Sequence, residues 1–357
     1  MKPRALFVGR ARYVLPLNDT QRRKWDAVGR ELEYRVLASS AGRTGGDAVF
    51  LLRPRTALDG ARFWLSLPRR IRVAAMAFRP HAIVAQSPFE AAAALLARTG
   101  VPVIVEVHGD WRTFARLYGS PARRLLARLA DGVGTWAVRQ SAKVRTVSPY
   151  TSALTRAVGR EPDAEFPAYM DLEPFTGPVK PLPPAPAALF VGVLELYKNV
   201  DGLAAAWRLA RRRVPAATLR VVGNGSRTGD VEALVRDGLA TWDRRLETDE
   251  VARALDEASV LVLPSRSEGM GRVVIEAHLR GRPVVGSGVG GIRDLVADGT
   301  DGLLVAPEPE PIADALARVL GDREELERLA AGARAAGERW VVSPEEYARR
   351  VRELVEQ

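Results

Sequence analysis

Residues 259 to 306, SVLVLPSRSEGMGRVVIEAHLRGRPVVGSGVGGIRDLVADGTDGLLVA, leave few folds open to the chain. The run Val260–Leu263 is short, apolar and ended by Pro264, which predicts a buried parallel strand. A polar turn follows over residues 265 to 271, and residues 272 to 280 carry helical character up to Gly281. Pro283 to Gly286 begins a second strand, and the glycines between 288 and 291 open a second helix. The pattern is strand, helix, strand, helix, with a glycine-bearing loop at each strand-to-helix turn. Glu268 lies in the first loop and Glu276 in the helix after it. In open α/β sheets, ligands bind at the carboxyl edge of the strands, where both acids are expected. The second loop contains Gly290 and Gly291, whose small size lets backbone N–H groups approach an anion at a helix N-terminus. Carboxylates for hydroxyls and amides for phosphate point to a nucleotide sugar.

The same stretch resembles the signature of glycosyltransferase family 4. That signature has the order E-G-x-G-x-x-x-x-E, then P-V-V, then G-G-x-x-x-x-V-x-D-G-x-x-G-x-L-V, and each position is filled between Glu268 and Val305. The resemblance covers most of the chain and is strongest between residues 187 and 306. It implies the GT-B fold, an α/β architecture of two Rossmann-like domains facing across a cleft, with a C-terminal helix crossing back to the N-domain. It also implies retention of anomeric configuration. By the same resemblance, Glu276 holds the ribose hydroxyls and Glu268 the transferred sugar, assisted by backbone amides near Met270 and Gly271. Gly290, Gly291 and Lys198 meet the diphosphate.

Lys198 belongs to a second loop, which starts at Gly192 after the apolar run Ala188 to Val191. Residues 193 to 199, VLELYKN, resemble the family's G-R-L-x-x-x-K phosphate loop, and Lys198 fits the lysine. The family's arginine is Val193 here. One cation is therefore missing, and Arg272 or an arginine of the N-domain is the candidate replacement.

The first half opens with a strand, Ala5 to Val8, ending at Gly9. No G-x-G-x-x-G follows, and Arg10, Arg12 and Tyr13 are read as loop residues, either solvated or facing the donor. Helical spacing places Leu67, Ile71, Ala74, Ala75 and Phe78 on one face, with Arg69, Arg70 and Arg72 on others. That helix either packs on the sheet with its arginines in water or touches a membrane interface. A loop is expected over residues 38 to 47 and a basic helix over 122 to 140. The strand from Val101 to Val107 ends in His108, whose position matches the family's N-domain histidine, a contact to the donor sugar. Six prolines between 173 and 187 mark a linker, since proline removes a donor and cannot continue a helix or central strand. The expected plan is an acceptor domain over 1–172, the linker 173–187, a donor domain over 188–340 and a returning helix over 341–357.

Composition bounds the rest. With 357 residues, 47% of them hydrophobic, the chain has room for two cores. It has no cysteine and three histidines, so a structural zinc site is not expected, and no Asp-x-Asp pair presents itself for a divalent ion. The expectation is no metal and no cofactor beyond the donor substrate. No apolar run reaches bilayer length and no signal h-region follows Met1, so a cytoplasmic protein is expected. Charge is uneven, with 28 Lys and Arg against 15 Asp and Glu over residues 1 to 175, and 25 against 28 over the remainder. A basic first half suits an anionic partner, such as a membrane's inner face or a phosphorylated acceptor, unless it reflects general arginine richness. No nucleic-acid recognition motif accompanies it. The implied partners are a nucleotide-sugar donor and a lipid, glycan or small-molecule acceptor. Other readings on the same two-Rossmann plan are a nucleotide-sugar epimerase, a phosphorylase or a non-catalytic nucleotide-sugar-binding protein.

Overall fold

A computed structural model describes residues 1–40, 46–53, 59–117 and 126–356. The expected loop residues 41 to 45 and the first residues of the expected basic helix, 122 to 125, lie outside the described residues. The chain divides into two compact units. Of the described residues, the first takes in 1–116, 126–169 and 342–356, and the second takes in Leu117 and 170–341.

Among the described residues, the first unit is built on seven strands: β1 (Arg4–Tyr13), β2 (Glu33–Ser40), β3 (Phe50–Arg53), β4 (Ala82–Ala85), β5 (Val103–Val107), β6 (Lys143–Thr146) and β7 (Ala164–Glu165). They form one parallel sheet in the order β3-β2-β1-β4-β5-β6-β7. The second unit has six described strands: β8 (Ala187–Val191), β9 (Thr218–Val222), β10 (Thr241–Asp243), β11 (Val260–Leu263), β12 (Val284–Ser287) and β13 (Gly302–Val305). Their order is β10-β9-β8-β11-β12-β13, again parallel throughout. Each sheet reverses direction beside its first strand, β1 or β8, which is the switch point of a Rossmann-like sheet. Helices cover both faces of the first sheet, and central strands such as β4 and β5 are buried along their whole length, as a doubly covered parallel sheet requires.

The first strand does not end at Gly9 as expected. It continues to Tyr13, with a pairing irregularity between Val8 and Arg12, so Arg10 and Arg12 belong to a strand rather than a loop. Tyr13 explains the extension: it is buried and its ring packs on Trp25 and Phe50 at centroid distances of 6.3 and 5.2 Å. The first helix begins at Asp19, because the Asn18 side chain accepts the Gln21 N–H and caps it. The expected arginine-bearing helix is Asp59–Phe78, whose Leu67, Ile71, Ala74 and Ala75 are buried in the core above β1 and β2. The helix Pro344–Glu356 buries Tyr347, Ala348, Val351, Leu354 and Val355 on the opposite face of that sheet, against Trp25, Val28 and Phe166.

Candidate active site

In the second unit the carboxyl edges of β8 and β11 carry the two loops expected to meet the donor. After β8 the chain passes Gly192 and makes one 3-10 turn, Leu196–Lys198, followed by Asn199 in the left-handed region at φ 58°. Asn199 is fully buried, and its side-chain amide donates to Pro264 O at 2.9 Å and Pro307 O at 2.8 Å. A non-glycine residue tolerates this conformation because asparagine is the side chain least penalised there. The pair of hydrogen bonds fastens the turn to the ends of β11 and β13.

This fastening fixes Lys198. Its side chain is 11% exposed, and its ammonium donates to Glu268 Oε1. The same carboxylate oxygen accepts from Ser265 Oγ at 3.2 Å. A Cβ placed on Gly192 would sit 3.3 Å from Lys198 Cε and 3.6 Å from its Nζ, so the glycine leaves the floor beneath the lysine open. Arg266 closes the arrangement from the side. It donates bidentately to Asp201 at 2.9 and 2.8 Å and to Leu196 O, while its own amide donates to Tyr197 O, binding the Glu268 loop to the lysine turn. The Arg266 hydrogen bonds hold the Asp201 carboxyl below its ordinary pKa.

The glycine-rich loop after β12 packs directly on the Glu268 loop. A Cβ on Gly290 would lie 2.2 Å from Glu268 O, and one on Gly291 would lie 2.1 Å from Gly269 O. The Gly291 N–H donates to Glu268 O at 3.0 Å. That amide is spent on the contact between the loops, which corrects the expectation that it faces an anion directly. The following helix is a single turn, Ile292–Leu295, too short to build up much dipole. Glycine is required at these two positions by the close approach of the two backbones.

Gly271, at φ 78°, turns the Glu268 loop into the helix Arg272–Leu279, with Met270 buried just before it. Glu276 lies one turn into that helix and is 6% exposed. Burial pushes its carboxyl pKa up, and the Arg272 guanidinium, which donates to Oε1, opposes that shift. Arg272 also donates to Asp171 O at 3.2 Å. The expected replacement for the missing phosphate-loop arginine is thus engaged with Glu276, while Val193 is half exposed. Lys198, Glu268, Gly192, Gly290 and Gly291 are brought into direct contact, and Arg272 with Glu276 forms a second charge pair on the adjoining helix. Among the described residues, no three His, Cys, Asp or Glu side chains gather to hold a metal ion.

In the first unit, His108 follows the end of β5 and its side chain is 39% exposed. Sequence reasoning missed its partner. Glu106 lies two residues earlier on the same face of the strand, and its Oε2 is 3.3 Å from His108 Nε2. Glu106 stands opposite Arg145 of β6 in the sheet register and accepts from its Nη1, with both side chains almost fully buried. Arg145 also donates to Phe166 O at 3.0 Å and Pro167 O at 2.6 Å, and its guanidinium lies 4.0 Å from the Phe166 ring centroid. Burial alone would raise the Glu106 pKa, but Arg145 and the His108 hydrogen bond hold it well below the carboxylate range. An acid inside an apolar strand, two residues before the histidine, was the available signal.

Two parallel sheets of this order in one chain, with a returning C-terminal helix, define a GT-B architecture. Sucrose-phosphate synthase from Thermosynechococcus elongatus shares it with a TM-score of 0.78 at 20% identity, the match covering 100% of this chain and 99% of that one. Anabaena HepE, in a structure with UDP and glucose, shares it with a TM-score of 0.70 at 17% identity, covering 99% of each.

Residues 185–322 match the family model described as glycosyl transferases group 1, and residues 17–165 match the glycosyl transferase 4-like domain. The chain belongs to glycosyltransferase family 4. A D-inositol 3-phosphate glycosyltransferase of Frankia alni is 41% identical over 168 residues, which span 43% of this chain and 41% of that protein. The alpha-D-kanosaminyltransferase of Streptomyces kanamyceticus is 28% identical over 259 residues, 66% of this chain and 65% of that protein. The aligned part is thus less than half of the first relative and just under two thirds of the second.

Proposed function

We propose that the protein is a retaining glycosyltransferase that moves a sugar from a nucleotide diphosphate-sugar to an acceptor hydroxyl. The observation that carries this reading is the Lys198–Glu268 pair above Gly192, held by two glycine loops and followed on the next helix by Glu276. Glu276 takes the ribose hydroxyls, Glu268 the transferred sugar, and Lys198 the diphosphate. As the sugar–phosphate bond breaks, negative charge grows on the leaving diphosphate. A preorganised ammonium in a water-poor setting stabilises that charge without a protein-held ion. The acceptor hydroxyl attacks from the face the diphosphate leaves, and a phosphate oxygen takes its proton. His108, oriented by Glu106, contacts the donor sugar from the first unit's residues.

A double displacement with Glu268 as nucleophile is the competing mechanism. The ion pair with Lys198 argues against it, because a carboxylate already bound to an ammonium is a poorer nucleophile. The test is a turnover screen over nucleoside diphosphate-sugars, with the product anomer read by NMR. A product that keeps the donor's configuration is expected, and the unsubstituted protein given donor without acceptor is expected to accumulate no glycosyl adduct on Glu268 by mass spectrometry. An inverted product refutes retention, whereas donor binding without any turnover supports the non-catalytic alternative.

The proposed acceptor is presented at an anionic membrane surface. No described helix is long and apolar enough to cross a membrane. Exposed Leu65, Val73 and Met76 on the helix Asp59–Phe78, and exposed Leu129 and Trp136 on the helix Ala127–Gln140, are accompanied by exposed Arg69, Arg72 and Arg128. Both helices pack against the helix Pro88–Leu96, so they belong to one layer of the first unit. A basic side chain near an anionic leaflet contributes about 1 kcal/mol. Flotation with phosphatidylglycerol vesicles is expected to recover the protein at low salt and to lose it as salt rises. Equal recovery with pure phosphatidylcholine vesicles would remove the electrostatic part of the reading.

A further inference from the structure

A cavity of about 550 Å³ lies in the first unit, between the helix Asp59–Phe78 and the strands β2 and β3, of which β3 is the edge of the sheet. Four arginines line it: Arg35, Arg53, Arg69 and Arg70. Among the described residues no Asp or Glu lines it. The convergence follows from register. Leu37 of β2 pairs with Leu51 of β3, and Arg35 and Arg53 stand two residues from them on the same face, the face that the helix covers. From the helix, Arg69 and Arg70 come down to meet them.

Three of the four guanidiniums are held by a contact, and Arg69 is exposed at the mouth. Arg53 Nη1 donates to Ser66 Oγ at 2.7 Å, Arg70 Nη2 donates to Leu51 O at 3.1 Å, and the Arg35 guanidinium lies 4.8 Å from the Phe78 ring centroid. Four permanent positive charges around one space repel one another, and burial of their stems reduces the screening that water gives. Such a cluster is relieved by an anion, and planar guanidinium forks match the oxygens of a phosphate group. The remaining lining is apolar, including Leu51 and Val73.

We propose that this cavity binds a phosphate ester, with the phosphate among Arg35, Arg53, Arg69 and Arg70 and the apolar remainder of the ligand against Leu51 and Val73. The site is lined by residues of the first unit alone, shares none with the donor loops, and does not rest on the transferase reading. Phosphate chemistry of this kind is offered by a soluble phosphate ester or by a phospholipid headgroup, and two arms of one experiment separate them.

In the first arm, inorganic phosphate is titrated by calorimetry into the full chain at constant ionic strength. The protein is compared with Arg53→Gln/Arg69→Gln, with Lys198→Ala, and with Arg236→Gln/Arg253→Gln as a control of equal charge change in the second unit. The cavity pair is expected to lose about tenfold or more in phosphate affinity, as loss of charge-assisted hydrogen bonds implies. Neither the control pair nor Lys198→Ala should abolish that binding. In the second arm, vesicles containing phosphatidylglycerol are floated with the same variants. Vesicle binding lost in the cavity pair by more than in Arg72→Gln/Arg128→Gln, an equal charge change on the same layer that spares the cavity, identifies a lipid headgroup, and phosphate binding lost with no such excess identifies a soluble ester. Phosphate affinity unchanged in Arg53→Gln/Arg69→Gln, or absent from the unsubstituted protein, overturns the proposal. Thermal melting confirms that the variant is folded, and because like charges are being removed its Tm should not fall in phosphate-free buffer. Should the pair fail to fold, exposed Arg69→Gln alone is read instead, with the same direction of effect. Failure of Lys198-dependent turnover would refute the transferase reading and leave this result standing.

Discussion

Replacing Lys198 with alanine is expected to lower turnover by about 10²–10³-fold, the range lost when one preorganised donor to a developing anion is removed. On the proposed reading the ammonium, held beside Glu268, meets the leaving diphosphate, and Val193 stands where the family's arginine would share that charge. The loss should fall mainly on kcat rather than KM, since the charge is larger in the transition state than in the bound donor. Glu268 would be left without its ammonium partner, so melting temperature must be followed in parallel. A fall in Tm with kcat preserved would mean that Lys198 serves only the fold. Arg272 is not positioned to rescue the variant, because its guanidinium is engaged with Glu276 and Asp171 O.

Glu106→Leu should produce the largest loss of stability, about 3–5 kcal/mol, because it leaves the Arg145 charge buried without a partner. Arg145 is fully buried and Glu106 nearly so. Glu106→Leu/Arg145→Met, which removes both charges and keeps volume, should recover much of that loss. Denaturant unfolding measures each variant, and a loss below about 1 kcal/mol for the single change would show that water reaches the pair. The pair also sets a pH dependence with a definite sign. Because Glu106 has a lower pKa in the folded state than in the unfolded chain, its contribution is complete above the unfolded carboxylate value. It is lost as pH falls from there through the folded value. Stability of the unsubstituted protein should therefore drop on acidification more steeply than that of the double variant.

Much of the second unit was legible in the sequence because its constraints are local. Glu268, Gly271 and Glu276 lie within nine residues, and the glycines at 290 and 291 leave no room for side chains between two loop backbones. What the spacing did not reveal was the destination of each group. The Gly291 amide was assigned to an anion, yet its N–H closes the loops on each other, a contact made only once β11 and β12 are side by side. Asn199 and the Arg266–Asp201 clamp were missed for the same reason, since their partners lie far along the chain. In the first unit, the Glu106–Arg145 pair exists because β5 and β6 pair in one particular register, which neither strand declares alone. The first strand was cut short at Gly9 because the aromatic cluster that extends it draws on Trp25 and Phe50 from other elements. Arg70 was grouped with wetted arginines, although β2 and the edge strand β3 supply the other wall of a cavity.

The helix Pro344–Glu356 lends five side chains to a core whose other members come from the first half of the chain. During synthesis, the early half must therefore wait, with Trp25, Val28 and Phe166 uncovered, until residues beyond 340 leave the ribosome. The intervening unit has all its strands by residue 305 and so has the means to fold first, reversing the usual order in which the earlier half of a protein settles before the later one.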